Sequence, residues 1–467
     1  MNRIAIIGSG PAGYEAALVG AQLDADVTMI DAEGAGGACV LHDCVPSKTF
    51  IASSDVLTGY RGTEQFGVYS GGLEAITVDV PAVHDRVRRL ASAQSQDIHA
   101  KLVKAGVRVV AGYGRLGPAA AHHEHPVIVT PHDGRQETIM ADVVLVATGA
   151  TPRVLPDAAP DGERILTWRQ IYDLDRLPEH LVVVGSGVTG AEFASAYLAM
   201  GVPVTLVSSR ERVMPHEDAD AAMAIERVFR ERGMTILSRS RAAAVRRRGQ
   251  GVTVELTDGR RVEGSHALMA VGSVPNTGEL GLREYGVRVA DGGHVGVDRV
   301  SRTNVPGVYA AGDCTGVWPL ASVAAMQGRI AMWHALGEAV APLRLRTVAA
   351  NVFTDPELAT VGASQEDVDS GRVPAREVLL SLSGNPRAKM AGLTDGFVKL
   401  FARTASGQVV GGVVVAPKAS ELILPVSLAV ANHLTVDQVA QTISIYPSLS
   451  GSLTEAARQL MRHAPEL

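Results

Sequence analysis

Residues 36–48 read GGACVLHDCVPSK, from Gly36 to Lys48, and place two of the chain's three cysteines, Cys39 and Cys44, five positions apart. On a regular helix that separation gives about 500° of rotation and roughly 7.5 Å of rise, so the two thiols would face different ways. A disulfide needs Cα atoms within about 4.4–6.8 Å, so the pair closes only where the turn is distorted. Pro46 supplies a cause, because it has no N–H for the carbonyl of His42 and its ring crowds that carbonyl. The N–H groups exposed at an irregular helix start lower a thiol pKa, which makes a reactive dithiol chemically reasonable. The competing reading is two buried cysteines acting as small hydrophobes.

A chain of 467 residues is too long for one core and is expected to form about two to four domains. The net charge of −6, the pI near 6.2 and the lack of a dense basic stripe argue against a nucleic-acid partner. Met1 leads directly into the strand-like RIAIIG with no signal-peptide layout. Apolar runs such as VVLVATG and GGVVVAP fall far short of the roughly 18 residues a spanning helix needs, so a soluble, cytoplasmic chain without a transmembrane segment is expected. In that compartment a close cysteine pair is more often catalytic or metal-binding than structural, and three cysteines cannot build a four-thiolate zinc site.

Residues 4–7 (IAII) read as a buried parallel strand, followed at once by GSGPAG and a helix-like YEAALVGAQL. Gly8, Gly10 and Gly13 then sit at the strand-to-helix turn of a dinucleotide-binding unit, where N–H groups and the helix dipole meet a pyrophosphate. The second strand, DVTMI, ends in Asp31, eighteen residues after Gly13, where an acid accepts hydrogen bonds from a ribose 2′-OH. Helical signal runs from Ser47 to about Thr58 and over roughly 79–105, and VRVVAGYGRL, PVIVTPHDG and ADVVLVATG suggest a meander that closes the first unit. His122, His123 and His125 crowd one Ala/Pro-rich connection, which reads as a solvated loop rather than a metal site.

The pattern then repeats. LVVVGSGVTGAEFASAYLAMGVPVTLVSS is again strand, glycine turn, helix and strand, with Gly185, Gly187 and Gly190 lying 177 positions after the first set. Two such units imply two dinucleotides. At the acid position stands Ser208, with Arg210 and Arg212 just behind it. Loss of the carboxylate removes the repulsion that excludes a 2′-phosphate, and arginines can bind one, which favours NADPH or dual use over strict NADH. As a surface feature these arginines would simply be solvated. From about 273 the chain returns to the first unit through VPGVYAAGDCTG, with Asp313 at a strand end and Cys314 as a packed small residue. After about 345 alternating strand signals and two helical stretches suggest a four- or five-stranded α+β domain.

In order, the chain carries GSGPAG, CVLHDCVPSK, ATG at 147–149, GSGVTG, GSVPN at 272–276 and AAGD at 310–313. Together these resemble the pyridine-nucleotide flavoprotein disulfide oxidoreductases, the family of dihydrolipoamide dehydrogenase, glutathione reductase and mercuric reductase, over essentially the whole chain. The resemblance implies an α/β protein with FAD bound by residues 1–150 and 273–344, NADPH or NADH bound by 151–272, and a homodimer formed through 345–467. It places Gly37, Thr148, Gly149, Gly272 and Asp313 at the cofactors, Lys48 beside the reactive flavin edge and Glu192 as the carboxylate partner of Lys48. By the same analogy Cys44 faces the flavin as the charge-transfer thiolate, and Cys39 is the interchange thiol.

The departure lies near the C-terminus. Disulfide-reducing members carry His-Pro-x-x-x-Glu there, reaching across the dimer as acid–base for the interchange thiol, whereas this chain reads SIYPSLSGSLTEAARQL, with Tyr446 for the histidine and Gly451 for the glutamate. A phenol, with reference pKa near 10, is a poor proton carrier at neutral pH, and glycine orients nothing. The chain therefore resembles the mycobacterial-type NAD(P)H quinone reductases, which lack that histidine. The alternatives are a true disulfide reductase using another base such as His42, and a low-turnover redox sensor or partner subunit.

Overall fold

The computed structural model describes residues 2–69, 76–118 and 124–461. The chain divides into two compact units, Met1–Phe50 with Pro81–Arg153 and Gly272–Arg344, and Ile51–Val80 with Val154–Val271 and Leu345–Leu467.

In the first unit the strand Arg3–Ile7 is apolar at successive positions rather than alternate ones, so it must be covered on both faces. It lies inside a seven-stranded sheet whose order is Val308–Ala310, Val143–Val146, Arg3–Ile7, Asp26–Asp31, Arg108–Leu116, His125–Pro131 and Glu137–Ala141. The first five strands are parallel and the last two join antiparallel. The meander expected from 108 to 146 is thus only partly formed. Val143–Val146 leaves it and pairs in parallel with Arg3–Ile7, because all four of its side chains are buried and an edge position would expose half of them. On one face, helix Pro11–Gln22 packs on helix Ala321–Ala335 through small residues: Ala12, Ala16 and Ala17 meet Ala324 and Ala331, and a Cβ on Gly328 would stand 2.1 Å from the Ala12 carbonyl oxygen.

The second unit repeats the strand, turn and helix with Leu181–Val184, Val188–Ala199 and Val204–Val207, in a parallel sheet ordered Thr235–Leu237, Val204–Val207, Leu181–Val184, His266–Met269 and Ile165–Leu166. A three-stranded antiparallel sheet, Ala242–Arg248, Gly251–Leu256 and Arg261–Gly264, follows. The chain after 345 builds a five-stranded antiparallel sheet ordered Ala349–Val352, Glu357–Gly362, Val409–Ala416, Phe397–Arg403 and Ala375–Ser381. Helices Leu424–Ala431 and Gly451–Gln459 cover it through Val426, Ala429, Leu453 and Ala456. Two nucleotide-binding α/β folds and an α+β domain are the class the sequence pattern leads to.

Among the described residues no helix is long and apolar enough to cross a membrane, and no group of three or more His, Cys, Asp or Glu could hold a metal ion. His122 and His123 lie outside the described residues. His125 is buried, with Nδ1 2.7 Å from the Tyr285 hydroxyl.

One buried charge cluster joins the parallel and antiparallel parts of the second unit. Lys399, 1% exposed in the strand Phe397–Arg403, places Nζ 2.9 Å from Asp218 and 2.5 Å from Asp220, and donates to Gln365 Oε1 at 2.9 Å. Asp218 also caps helix Ala219–Glu231 by accepting from the N–H groups of Asp220 and Ala221. Removing the cation leaves the Asp218 carboxylate, 3% exposed, uncompensated beside the half-exposed Asp220. Lys399→Ala should therefore lower unfolding stability by about 3–5 kcal/mol in urea titrations, far beyond an exposed Lys→Ala control.

Candidate active site built from two glycine turns and a dithiol

The first turn, Gly8 to Gly13, cannot be built with side chains. Gly8 has φ +104°, and a Cβ there would stand 2.3 Å from the Ala147 carbonyl oxygen, while a Cβ on Gly13 would stand 1.9 Å from that of Gly8. Gly10 differs, because nothing lies within 4 Å of its Cβ position. Two glycines therefore serve close packing and the third leaves room at the start of helix Pro11–Gln22, where Gly10 provides no side-chain cap. First-turn N–H groups with open space before them suit a pyrophosphate.

Asp31 organises this turn. Its Oδ2 accepts from Ser9 N at 2.7 Å, and its Oδ1 accepts from Glu33 N at 2.8 Å and Gly34 N at 2.6 Å. The carboxylate expected to meet a ribose is thus also a backbone clamp, and only its remaining lone pairs are open to a ligand. Gly36 N donates to Ser9 O at 2.9 Å, and a Cβ on Gly37 would lie 3.0 Å from Gly10 Cα, so the dithiol segment docks directly on the phosphate turn.

The dithiol does not sit on one distorted helix. Helix Gly37–Leu41 ends at His42, whose φ is −134°, and helix Cys44–Tyr60 begins afresh. Pro46 falls in the first turn of the new helix, where a missing N–H costs nothing, so the break comes from His42 and Asp43 rather than from proline. Both N–H groups there close on one acceptor, His42 N and Asp43 N donating to Ala38 O at 2.9 and 2.8 Å. Cys39 and Cys44 are free thiols, partly exposed. Cys44 is pushed well above the ordinary thiol range, first by its hydrogen bond with Cys39, then by burial and by the charges of Cys39 and Asp43, with Lys48 opposing. In this state the lowering expected from the helix start is outweighed at Cys44, because the hydrogen bond with Cys39 favours the protonated thiol and burial disfavours its thiolate. His42 Nε2 lies 3.3 Å from the Glu33 carboxylate.

Asp313 follows the strand Val308–Ala310, and its carboxyl is pushed up to about 6 by burial and by the charge of Asp43. Thr148 and Gly149 are locked to the GSVPN segment: Thr148 Oγ1 donates to Asn276 O at 2.7 Å, Asn276 Nδ2 to Thr148 O at 2.9 Å, and Asn276 N to Gly149 O at 3.0 Å. Gly149 and Gly272 both have positive φ with open space at the Cβ position.

The second turn reproduces the first. A Cβ on Gly185 would stand 2.1 Å from the Ala270 carbonyl oxygen, one on Gly190 would stand 2.0 Å from that of Gly185, and Gly187 has nothing within 4 Å. Gly187 likewise gives helix Val188–Ala199 no side-chain cap. These two open, uncapped helix starts fit FAD and a nicotinamide nucleotide as a pair of pyrophosphate ligands. Ser208 stands at the position that Asp31 holds in the first turn. It is fully buried, with Oγ 2.6 Å from Ser186 Oγ and accepting from Arg210 N at 3.1 Å, so it shapes the turn that carries Arg210. Arg210 is exposed, and Arg212 keeps a buried Nε without a hydrogen-bond partner among the described residues. The sequence reading passed over Glu211, which lies between them and pairs with Arg239. Glu192 is 3% exposed, and its Oε1 accepts from Phe353 N at 3.0 Å.

Tyr446 is 81% exposed, beside Ile443 and Ile445 at 98% and 80%. Gly451 opens helix Gly451–Gln459, and a Cβ there would make only ordinary contacts, 3.6 Å to Ser448 Oγ and 3.7 Å to Ser444 Oγ.

Asp43 is the site residue that motif matching missed. Its signal was a charge written next to a reactive cysteine, and both Cys44 and Asp313 feel it. Asp43→Asn should move the pH dependence of Cys44 alkylation by iodoacetamide in the reduced protein to lower pH, with the two cysteines resolved by mass spectrometry. An unchanged profile would show that Asp43 does not govern the thiol.

Comparison with known proteins agrees with this geometry. The sequence profile of the pyridine nucleotide-disulphide oxidoreductases matches residues 2–328, and that of the family's dimerisation domain matches 348–457. A Mycobacterium tuberculosis protein named NAD(P)H dehydrogenase (quinone) is 59% identical, the alignment covering 99% of this chain and 94% of the relative. A dihydrolipoyl dehydrogenase of Chlamydia pneumoniae is 32% identical over 98% and 96%. The crystal structure of LpdA from M. tuberculosis superposes with a TM-score of 0.95 at 58% identity, covering 99% of this chain and all of that one. By profile, by full-length identity and by fold, the chain belongs to the pyridine nucleotide-disulphide oxidoreductases.

Proposed function

We propose that this protein is a homodimeric, cytoplasmic NAD(P)H:quinone oxidoreductase that reduces lipoamide and glutathione disulfide weakly. The observation that carries the reading is the pair Tyr446 and Gly451, standing where a disulfide reductase of this family needs a histidine and a glutamate. The name of the 59% identical relative supports it. The exposed Ile443, Ile445 and Tyr446 within the stretch matched by the dimerisation profile support the homodimer, and three free cysteines suit a reducing compartment.

We assign residues 1–150 and 273–344 to FAD, 151–272 to the nicotinamide nucleotide and 345–467 to the dimer interface. When bound, FAD supplies a hydride acceptor for NAD(P)H and an electron donor for the final acceptor. The chain's own part is to bind and orient. The two glycine turns present N–H groups to pyrophosphates, with Asp31 and Asp313 at the first cofactor and Arg210 meeting a 2′-phosphate at the second. Lys48 and Glu192 are assigned to the catalytic residues on the strength of the resemblance. Disulfide interchange additionally requires a base that takes the proton of the interchange thiol and returns it to the leaving thiolate, and a neutral phenol is a poor base for that at neutral pH.

A second reading has one observation in its favour. The contact between His42 and Glu33 supplies a histidine and carboxylate beside the dithiol within one chain, which could act as acid–base for disulfide reduction.

A steady-state panel with quinones, lipoamide and glutathione disulfide separates the two. Disulfide turnover should be about 10²-fold or more below quinone turnover, and Cys39→Ser should leave most quinone activity. Tyr446→His with Gly451→Glu, which the space at Gly451 admits, should raise residual disulfide activity several-fold. Lipoamide turnover equal to quinone turnover, abolished by His42→Ala, would establish the second reading instead.

Cofactor choice is checked separately. Arg210→Ala should raise KM for NADPH more than for NADH, and a strong NADH preference in the unmodified protein would contradict the role given to Arg210.

A further inference from the structure

Helix Val188–Ala199 opens on the second glycine turn and carries Glu192 and Ser195 one turn apart, 3% and 6% exposed. Both side chains are held by the same short stretch of backbone. Phe353 N donates to Glu192 Oε1 at 3.0 Å, and Asp355 N donates to Ser195 Oγ at 3.1 Å. Between them Thr354, 4% exposed, donates its hydroxyl to Pro356 O at 2.7 Å. The stretch is anchored in turn by Arg232, the residue after helix Ala219–Glu231, whose Nη1 donates to Asp355 Oδ2 at 2.7 Å and to Asp355 O at 3.1 Å. Arg61 secures the far end of the Glu192 helix by donating to Leu198 O at 2.9 Å.

A glutamate has three side-chain torsions and, without such a partner, would spread its carboxylate over several rotamers. A backbone N–H that donates to Oε1 restricts the orientation of the carboxylate. That N–H belongs to the stretch that Arg232 and Ser195 hold at Asp355. We infer that Phe353–Asp355, anchored by Arg232 and Ser195, is a positioning element that sets the orientation of Glu192 on the helix opened by the second glycine turn, an orientation on which the rate of flavin reduction by NAD(P)H depends. Arg232, Asp355 and Ser195 act through Glu192 and touch no reacting atom. The inference rests on reading Glu192 as a residue of the active site. Misplacements of about 1 Å can cost up to about 10²-fold in rate, so loss of the anchor is a kinetic matter even where the fold survives.

The test uses the FAD-loaded protein, mixed anaerobically with NADPH while the flavin absorbance is followed. Arg232→Ala should slow the first-order reduction at saturating NADPH by about three- to tenfold, leave half-saturation within about twofold, and be rescued at least half-way by Arg232→Lys. Independently of turnover, amide hydrogen exchange at Phe353 and Asp355 should speed up about tenfold or more in Arg232→Ala. Asp355→Asn and Ser195→Ala carry the same expectations if Arg232→Ala does not fold. A lowered Tm with reduction rate and amide exchange unchanged would overturn the inference and leave a plain structural clamp. Glu192→Gln separates the two levels: if it reduces flavin at the unmodified rate, the active-site reading of Glu192 fails and the inference falls with it. If Glu192→Gln is slow while the anchor variants are not, positioning alone is overturned.

Discussion

The glycine turn and the dithiol segment of the first unit depend on one group, the carboxylate of Asp31. Three backbone N–H groups, from Ser9, Glu33 and Gly34, converge on its two oxygens. They belong to two segments, the glycine turn and the loop leading into the dithiol helix, so one charge fixes the spacing between them. Charge-assisted bonds of this kind are about twice as strong as neutral ones, and each satisfies an N–H that the tight backbone could not pair otherwise. The Ser9 hydroxyl closes the same circuit by donating to Gly34 O at 2.8 Å.

The second unit solves the same problem without the charge. Gly185 N donates to Val207 O at 3.0 Å as Gly8 N does to Ile30 O at 2.8 Å, and Met214 N donates to Ser186 O at 2.7 Å as Gly36 N does to Ser9 O at 2.9 Å. Where Asp31 stood, Ser208 offers one hydroxyl to Ser186 and Arg210. The group at that position is neutral, and Arg210 behind it is exposed. Conserving the backbone while exchanging one side chain is how a single supersecondary unit takes two different nucleotides.

The dithiol shows the opposite economy. Its two cysteines meet and its docking glycines pack on the first turn, while Asp43 and the Cys39 contact push the Cys44 thiol up. Glu192 stands apart from this, held by Phe353 N through contacts distant in sequence.

What the sequence determined by itself was everything that follows from local chemistry: the glycine turns, whose spacing is dictated by backbone approach; the second copy 177 positions on; the paired cysteines; and the substitutions at 446 and 451. The fold class followed, because a doubly buried apolar strand ahead of such a turn has few alternatives. Only the tertiary structure decided the rest, because it depends on partners far apart in the chain. Val143–Val146 left an apparent meander for the sheet centre since its two buried faces required neighbours on both sides. Pro46 proved to be an innocuous first-turn residue, because where a helix ends is set by hydrogen bonds already made upstream to Ala38 O. Ser208 proved to be buried, and Glu192 proved to depend on Phe353, a residue 161 positions away, because a periodic pattern records which face a side chain takes and not which distant backbone N–H it will meet there.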